Sequence, residues 1–330
     1  MSRFYRNYQR EEPIEDEYHE NPVVPTDGKI IRWLKSKTIP GFEGHNLYDV
    51  GKYFLNSLFK EDLNLRASSL SFNYFLSLFP TLIFILTLIA ALPIRGVKSR
   101  LISELRLLLP QSTWKEISST IYELLNHQNS GLLSLGFIMA LYFSSNAFHS
   151  LINSFNRRLP EKVKRNWLQN RIQAVGLTCL VGVMVVLALI FLTWMFQLAA
   201  YMIKHEWFGL SLWLFIINTI EYTLIVALIF TAISSFYRFG PAHKRKWRFI
   251  SPGSIFAGVL SIISTYLFGL YVNNFDAYNK IYGSIGAIIA LMVLIYINCL
   301  VIIVGFELNT SIDKASITKK RMAASEDITL

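Results

Sequence analysis

Apolar and polar residues follow one another along this 330-residue chain in long blocks. The apolar blocks cover residues 69–93, 131–155, 173–202, 207–235, 250–273 and 281–311. Each is longer than the ~20 residues that a helix needs to cross the hydrocarbon core of a bilayer. The pattern therefore predicts an all-α fold, a polytopic membrane bundle of six transmembrane helices.

Two further segments have the periodicity of amphipathic helices, residues 46–60 and residues 112–125. One face of the first carries Leu47, Val50, Phe54, Leu55, Leu58 and Phe59. That helix fits either the membrane interface or a docking site on the loops of its own protein. The second lies in the long connection 94–130, a candidate lid or outer platform, with Ser112 as its expected N-cap.

The polar ends give the chain three parts. Residues 1–45 are polar and acidic, and they lack the apolar run and the small-residue cleavage site of a signal peptide. We expect a flexible cytoplasmic N-terminal region there, a six-span membrane domain over residues 46–312, and a cytoplasmic tail over residues 313–330.

Composition supports the membrane interpretation. Hydrophobic residues make up 53% of the chain and charged residues 16%, whereas a soluble domain carries roughly 25% charged residues. A soluble enzyme of two ordinary domains is thereby excluded.

The net charge of +10 indicates an orientation, because its cations are clustered. Residues 1–66, residues 156–172, residues 236–249 and the C-terminal tail together hold 25 Lys and Arg, against 7 in the other three connections. Since clustered cations resist translocation, both termini are expected in the cytoplasm. The basic loops would contact anionic lipid headgroups. No nucleic-acid partner is expected, because no aromatic platform is interleaved with these cations.

The residue types that can bind metals or catalyse hydrolysis are scattered along the chain. The six histidines form no metal-ligand cluster, and Cys179 and Cys299 both fall inside apolar blocks. A hydrolytic metal site needs several convergent ligands. We therefore expect no metal, no cofactor and no catalytic residue.

Polar side chains inside the predicted spans form two stripes at helical spacing. The first comprises Arg66, Ser69, Asn73, Ser77 and Pro80, and the second comprises Ser145, His149 and Asn153. Such stripes can hydrogen-bond neighbouring helices together, or they can line a polar cavity open to the cytoplasm. Pro80 is expected to kink its helix.

Two carboxylates lie at membrane level, where an unpaired charge is costly. Glu221, near the middle of the fourth span, is interpreted either as a buried protonated acid or as a proton or cation site. Glu307, near the cytoplasmic end of the sixth span, is predicted to pair with Arg66 or Arg238, supported by Asn309. This cluster would act as a structural clasp or as a gate.

Small residues mark the last two spans. Gly253, Gly283 and Gly286 are among the positions that would let helices approach closely. Close packing is the first interpretation, and a sliding interface is the second.

Four motifs occur in order along the chain. They are RASSLSFNYFLSLFP at residues 66–80, YRFGP at 237–241, YGSIGA at 282–287 and GFELN at 305–309. Together they resemble the YihY/BrkB family of bacterial inner-membrane proteins, over roughly residues 50–312. The resemblance implies six spans in a bacterial inner membrane and a role in envelope integrity, with links to lipid movement. It also brings a former ribonuclease label, which the scattered histidines argue against.

The leading functional hypothesis is a non-enzymatic membrane protein that binds or moves a lipid or another amphiphile. The candidate contacts are Asn73, Ser77, His149, Asn153 and Glu221. The alternatives are a scaffold without transport and a proton-coupled solute transporter that depends on Glu221. A homo-oligomer or an envelope protein partner is compatible with each.

Overall fold

The computed structural model describes residues 29–39, 41–59, 62–91, 98–99, 102–103, 106, 111–126, 130–160, 163–204, 210–243, 247–273 and 276–328. Over these ranges the chain forms α1 (Lys29–Ser36), α2 (Leu47–Leu58), α3 (Asp62–Ala91), α4 (Gln111–Asn126), α5 (Ser130–Asn156), α6 (Trp167–Lys204), α7 (Leu210–Phe239), α8 (Pro252–Asn273) and α9 (Asp276–Ile328). An isolated β-bridge joins Thr38 and Asn46. The all-α prediction is confirmed.

Six of these helices are long and apolar enough to cross a membrane. Their candidate spans are Asp62–Phe84, Ser134–Asn156, Trp167–Ala199, Phe215–Phe239, Pro252–Tyr271 and Ile288–Lys319. The expected number of spans is therefore confirmed, although several bounds move. The first candidate span begins at Asp62, about two turns before the uncharged block. It includes Arg66, whose charged side chain is buried in an ion pair with Glu307.

The six spanning helices close into a ring. Helix α3 packs against α5, α5 against α6, α6 against α7, α7 against α8, α8 against α9, and α9 returns to α3. We use the name basic end for the end of the bundle where α3, α6 and α8 begin and α5 and α7 finish. The cation-rich connections of the sequence join the helices at this end.

The largest hydrophobic core lies near the basic end. Phe155 of α5 stacks on Phe306 of α9 with ring centroids 4.0 Å apart, and Tyr237 of α7 packs edge-on against both. The Tyr237 hydroxyl donates a 2.6 Å hydrogen bond to the Ile302 carbonyl. Three helices are thus joined at one level by aromatic packing, which contributes ~0.5–1.5 kcal/mol per ring pair beyond area burial.

Helices α8 and α9 cross closely beside this core, as the small residues predict. A Cβ added at Gly253 would lie 2.1 Å from the Gly305 carbonyl oxygen, and one at Gly305 would lie 2.6 Å from the Cβ of Ala257. Gly286 is buried in α9, and Gly283 also lies inside that helix, which begins at Asp276.

Helix α2 docks on the part of α9 that extends beyond the apolar block. Phe42, Val50, Ile312 and Ala315 form a small buried cluster there. The opposite face keeps Phe59 85% exposed. The structure thus shows α2 packed on its own protein, and a place at the membrane interface stays a prediction.

The division of the chain into three parts stays a prediction. Residues 1–28 lie outside the described ranges, and residues 29–36 form α1. Helix α9 continues to Ile328, so residues 313–328 are helical. The long connection also contributes a helix: Ile121 and Leu125 of α4 pack on Leu86 of α3. Ser112 lies inside α4 rather than at its cap.

Candidate functional site

A polar groove opens between α3 and α5 near the basic end. Its volume is about 500 Å³. The lining residues are Leu65, Arg66, Ser69 and Asn73 of α3, Asn146, His149, Ser150, Asn153 and Ser154 of α5, and Arg157 just beyond it. They lie at successive turns of the two facing helices, because residues three and four apart share a helical face.

Asn73, His149 and Asn153 line this groove, as the two polar stripes predict, but Ser77 does not. Ser77 is buried, and its hydroxyl donates a 2.7 Å hydrogen bond to the Tyr74 carbonyl of its own helix. Farther from the basic end α5 presents Gly136, where an added Cβ would lie 3.5 Å from the backbone of Phe84 in α3. The two helices thus come together at Phe84, two turns beyond Ser77, and the groove lies on the basic-end side of this contact.

Two residues of the groove wall hold a buried atom without a hydrogen-bond partner, Nδ1 of His149 and Oγ of Ser154. Nε of Arg66 also lacks a hydrogen-bond partner, but it lies 3.5 Å from the Asp62 carboxylate. Other wall groups are already engaged. The Asn73 side-chain amide donates to the Ser69 carbonyl at 2.8 Å, and the Asn146 carbonyl oxygen accepts from Arg171. An unsatisfied buried polar atom costs ~1–3 kcal/mol. Hydrogen bonds from a ligand to His149 Nδ1 and Ser154 Oγ would therefore be favourable.

A buried ion pair forms the inner side of this site. Nη2 of Arg66 donates to Oε1 of Glu307 at 2.7 Å, with the two side chains 2% and 0% exposed. Nη1 of Arg66 donates to the Ser154 carbonyl at 3.3 Å, which joins α3 to α5 as well as to α9. Arg66 and Glu307 are thus brought together as expected, at the junction of three helices.

Two further charges complete the cluster. Nε of Arg158 lies 3.4 Å from Oε1 of Glu307, and the guanidinium of Arg158 also pairs with Asp62. Asp62 in turn lies 3.5 Å from Nε of Arg66. We name Asp62, Arg66, Arg158 and Glu307 the charge cluster; its formal charges balance. Sequence reasoning placed Arg158 only among the topogenic loop cations, although its position at the end of α5, beside the second polar stripe, was an available signal.

Glu307 pairs with Arg66 rather than with the alternative Arg238, and Asn309 contacts other groups. Arg238 donates to the Trp247 carbonyl at 3.0 Å. Asn309 accepts from the Gly253 backbone N–H and donates to the Ser251 hydroxyl, both at 2.8 Å. Asn309 therefore satisfies the N-terminus of α8, whose first N–H groups have no partner within the helix.

Arg165 of the basic connection 156–172 also has a structural contact. Its guanidinium donates to the Gly240 and Pro241 carbonyls at 3.1 and 3.2 Å, joining two connections of the basic end. Partial burial lowers the pKa of Arg165 from its ordinary value.

Glu221 lies apart from the groove. It is half-buried on α7 and has no hydrogen-bond or ion-pair partner among the residues that the structure describes. Its neighbour Tyr222 is exposed on the outer face of the ring. Pro80 lies within α3, which continues from Asp62 to Ala91, and the kink there stays a prediction. No group of three or more His, Cys, Asp or Glu converges in the described ranges.

These features define a class of protein: a polytopic helical membrane protein with a polar groove at one end of a closed six-helix ring. A sequence model of the family described as Virulence factor BrkB matches residues 54–328. The chain belongs to the BrkB family, which is not a known enzyme family.

Similar proteins occur in several bacteria. The chain is 32% identical over 252 residues to YfkH of Bacillus subtilis (strain 168), whose name describes it as ribonuclease-like, and the match covers 76% of this chain and 90% of YfkH. UPF0761 membrane proteins of Stenotrophomonas maltophilia and Xanthomonas campestris are 30% and 34% identical over 86 residues, which is 26% of this chain and 20% of theirs. No solved structure matches the chain.

Proposed function

We propose that this protein binds the polar head of a lipid or another amphiphile in the groove, and thereby supports the integrity of a bacterial envelope. The observation that carries the proposal is the groove itself, about 500 Å³ in volume, with polar groups on facing turns of two spanning helices. A polar side chain at membrane level costs free energy, so its presence there needs a structural or functional reason. The unpartnered His149 and Ser154 atoms indicate that packing alone does not account for them.

Apolar surface beside the groove suits the chains of an amphiphile. Leu65 is 67% exposed and Phe72 is 55% exposed on α3, and Tyr142 is exposed on α5. Burial of such surface contributes ~25 cal/mol per Å². A headgroup in the groove would leave its chains along this face without further rearrangement.

The length of the groove favours binding from one leaflet. From Asn146 to Arg157 the lining spans eleven residues, which is ~16 Å at 1.5 Å per residue, about half of a ~30 Å hydrocarbon core. A site of this depth can hold a headgroup, whereas movement across the membrane would require the helices to separate beyond Asn73.

The groove proposal is tested by filling the groove. Ser69→Phe places a ring in the groove, while Ser68→Phe adds the same ring at the neighbouring exposed position, which does not line it. Native mass spectrometry of the full chain would count lipid adducts. We expect Ser69→Phe to remove an adduct that wild type and Ser68→Phe retain. Equal adduct counts in all three proteins would refute lipid binding in the groove.

The location is also proposed: a bacterial inner membrane, with both termini and the basic end in the cytoplasm. The distribution of cations, 25 against 7, supports this orientation, and it places the basic loops against anionic lipid headgroups. The test introduces a single cysteine in place of either Lys164 at the basic end or Glu123 on α4. Intact cells are then treated with a membrane-impermeant maleimide, which reacts only with cysteines outside the cytoplasm. We expect labelling at position 123 alone; labelling at position 164 alone would reverse the orientation.

A further inference from the structure

The groove carries an unbalanced positive charge. Its lining includes two arginines and no aspartate or glutamate. Glu307 neutralises Arg66 from behind, at 2.7 Å. In contrast, no carboxylate in the described part of the chain forms an ion pair with Arg157. The electrostatics of the groove are therefore those of an anion site with one available cation.

Arg157 follows directly on Asn156, the last residue of α5. A cation at that position is also favoured by the helix dipole, by ~0.3–1 kcal/mol. The dipole accounts for a positive charge near the end of α5, and Arg158 already supplies one that is turned inward to the charge cluster. The dipole does not account for the second arginine on the wall of a polar groove.

We propose that the groove binds a phosphate-bearing anion, with Arg157 as its counter-charge and with Ser154 and His149 completing its hydrogen bonds. A guanidinium presents a planar fork that matches two oxygens of a phosphate. A phosphate presents only acceptors apart from its own protons, which suits an Oγ–H of Ser154 and an Nδ1–H of His149, two buried wall atoms without a hydrogen-bond partner.

This inference rests on the proposed function, because it names the headgroup chemistry that the groove selects. Two sources supply the same chemistry: the phosphodiester of an anionic lipid and free inorganic phosphate. A zwitterionic phospholipid carries a phosphate too, but its ammonium group would be held near Arg157, where repulsion lowers its affinity relative to an anionic lipid.

The test measures lipid preference. Full-length protein in micelles is mixed with equimolar phosphatidylglycerol and phosphatidylcholine, and native mass spectrometry gives the ratio of the two adducts. We expect wild type to favour phosphatidylglycerol and Arg157→Gln to reduce the ratio about tenfold, as for loss of a charge-assisted bidentate contact. Arg157→Lys keeps the charge but loses the fork, and is expected to reduce it about threefold.

Lys164→Gln is the matched control, since it removes one exposed cation from the same connection without touching the groove. An unchanged ratio in Arg157→Gln, or an equal fall in Lys164→Gln, would overturn the proposal. Inorganic phosphate that displaces the phosphatidylglycerol adduct from wild type supports a soluble source of the anion, and persistence of the adduct supports a lipid source. If Ser69→Phe removes lipid while Arg157→Gln leaves the ratio unchanged, the proposed function stands and the anion site fails.

Discussion

Neutralising Glu307 tests whether the charge cluster holds the bundle together. Glu307→Gln keeps the volume of the side chain, so no cavity is created, but it removes the charge that faces Arg66 and Arg158. Breaking a buried ion pair by removing one partner costs ~3–5 kcal/mol, because the remaining charge stays desolvated.

The structure places the expected cost at the lower end of this range. Arg66 keeps its bond to the Ser154 carbonyl and lies 3.5 Å from Asp62, a carboxylate that is itself partly exposed. Arg158 also keeps Asp62. We therefore expect Glu307→Gln to lower the free energy of unfolding by about 3 kcal/mol.

The assay is reversible unfolding of the full chain in mixed SDS micelles, followed by circular dichroism. Glu123→Gln on α4 serves as the control, since Glu123 is exposed and its change should stay within ~0.5 kcal/mol. The double variant Arg66→Met, Glu307→Gln should lose less than the sum of the single variants, because neither charge is then left unpaired. A loss below ~0.5 kcal/mol in Glu307→Gln, or strict additivity in the double variant, would refute the clasp.

Four further substitutions test the packing and the limits of the site. Gly253→Ala should destabilise by ~1–3 kcal/mol in the same unfolding assay, because the new Cβ would lie 2.1 Å from the Gly305 carbonyl. Gly269→Ala, with nothing within 4 Å of its Cβ, should instead stabilise by up to ~1 kcal/mol; equal effects of the two would contradict the close crossing. Tyr237→Phe should cost ~0.5–1.5 kcal/mol by removing the hydrogen bond from its hydroxyl to the Ile302 carbonyl, and an unfolding free energy equal to that of wild type would argue against this bond. Glu221→Gln should leave the lipid adducts and any pH-dependent solute uptake in proteoliposomes unchanged, and altered uptake would revive the transporter alternative.

The spans could be predicted from the sequence because hydrocarbon excludes charge along whole segments. The bounds at the basic end could not, because they depend on pairing. Arg66 counts as a polar boundary in a hydropathy pattern, yet Glu307, 241 positions later, allows it to be buried one turn inside α3. The extension of α9 to Ile328 has a similar cause. Residues beyond 311 are polar in sequence, but Ile312 and Ala315 pack on α2, and this contact is invisible to a local pattern.

The partners of the buried charges were predictable in kind but not in full. A carboxylate at membrane level requires a cation, so Glu307 had to find an arginine at the same depth. Which arginine it meets depends on the rotation of each helix about its axis. Arg238 of α7 points towards Trp247. Arg158, just beyond the end of α5, points towards Glu307 instead. In the sequence, a cation that orients a membrane protein cannot be told from a cation that stabilises its fold. Only the packed structure shows which cations form ion pairs inside the bundle.

The polar stripes show the same limit, with a consequence for function. Spacing places Asn73 and Ser77 on one face of α3, but it does not say where the facing helix approaches. The backbones of α3 and α5 come close where Gly136 of α5 faces Phe84 of α3. The groove lies between this contact and the basic end. The charge cluster joins α3, α5 and α9 at that same end. Under the proposed function, a headgroup would enter from one leaflet without loosening the ion pairs, whereas passage beyond Asn73 would have to separate α3 from α5 at the glycine contact.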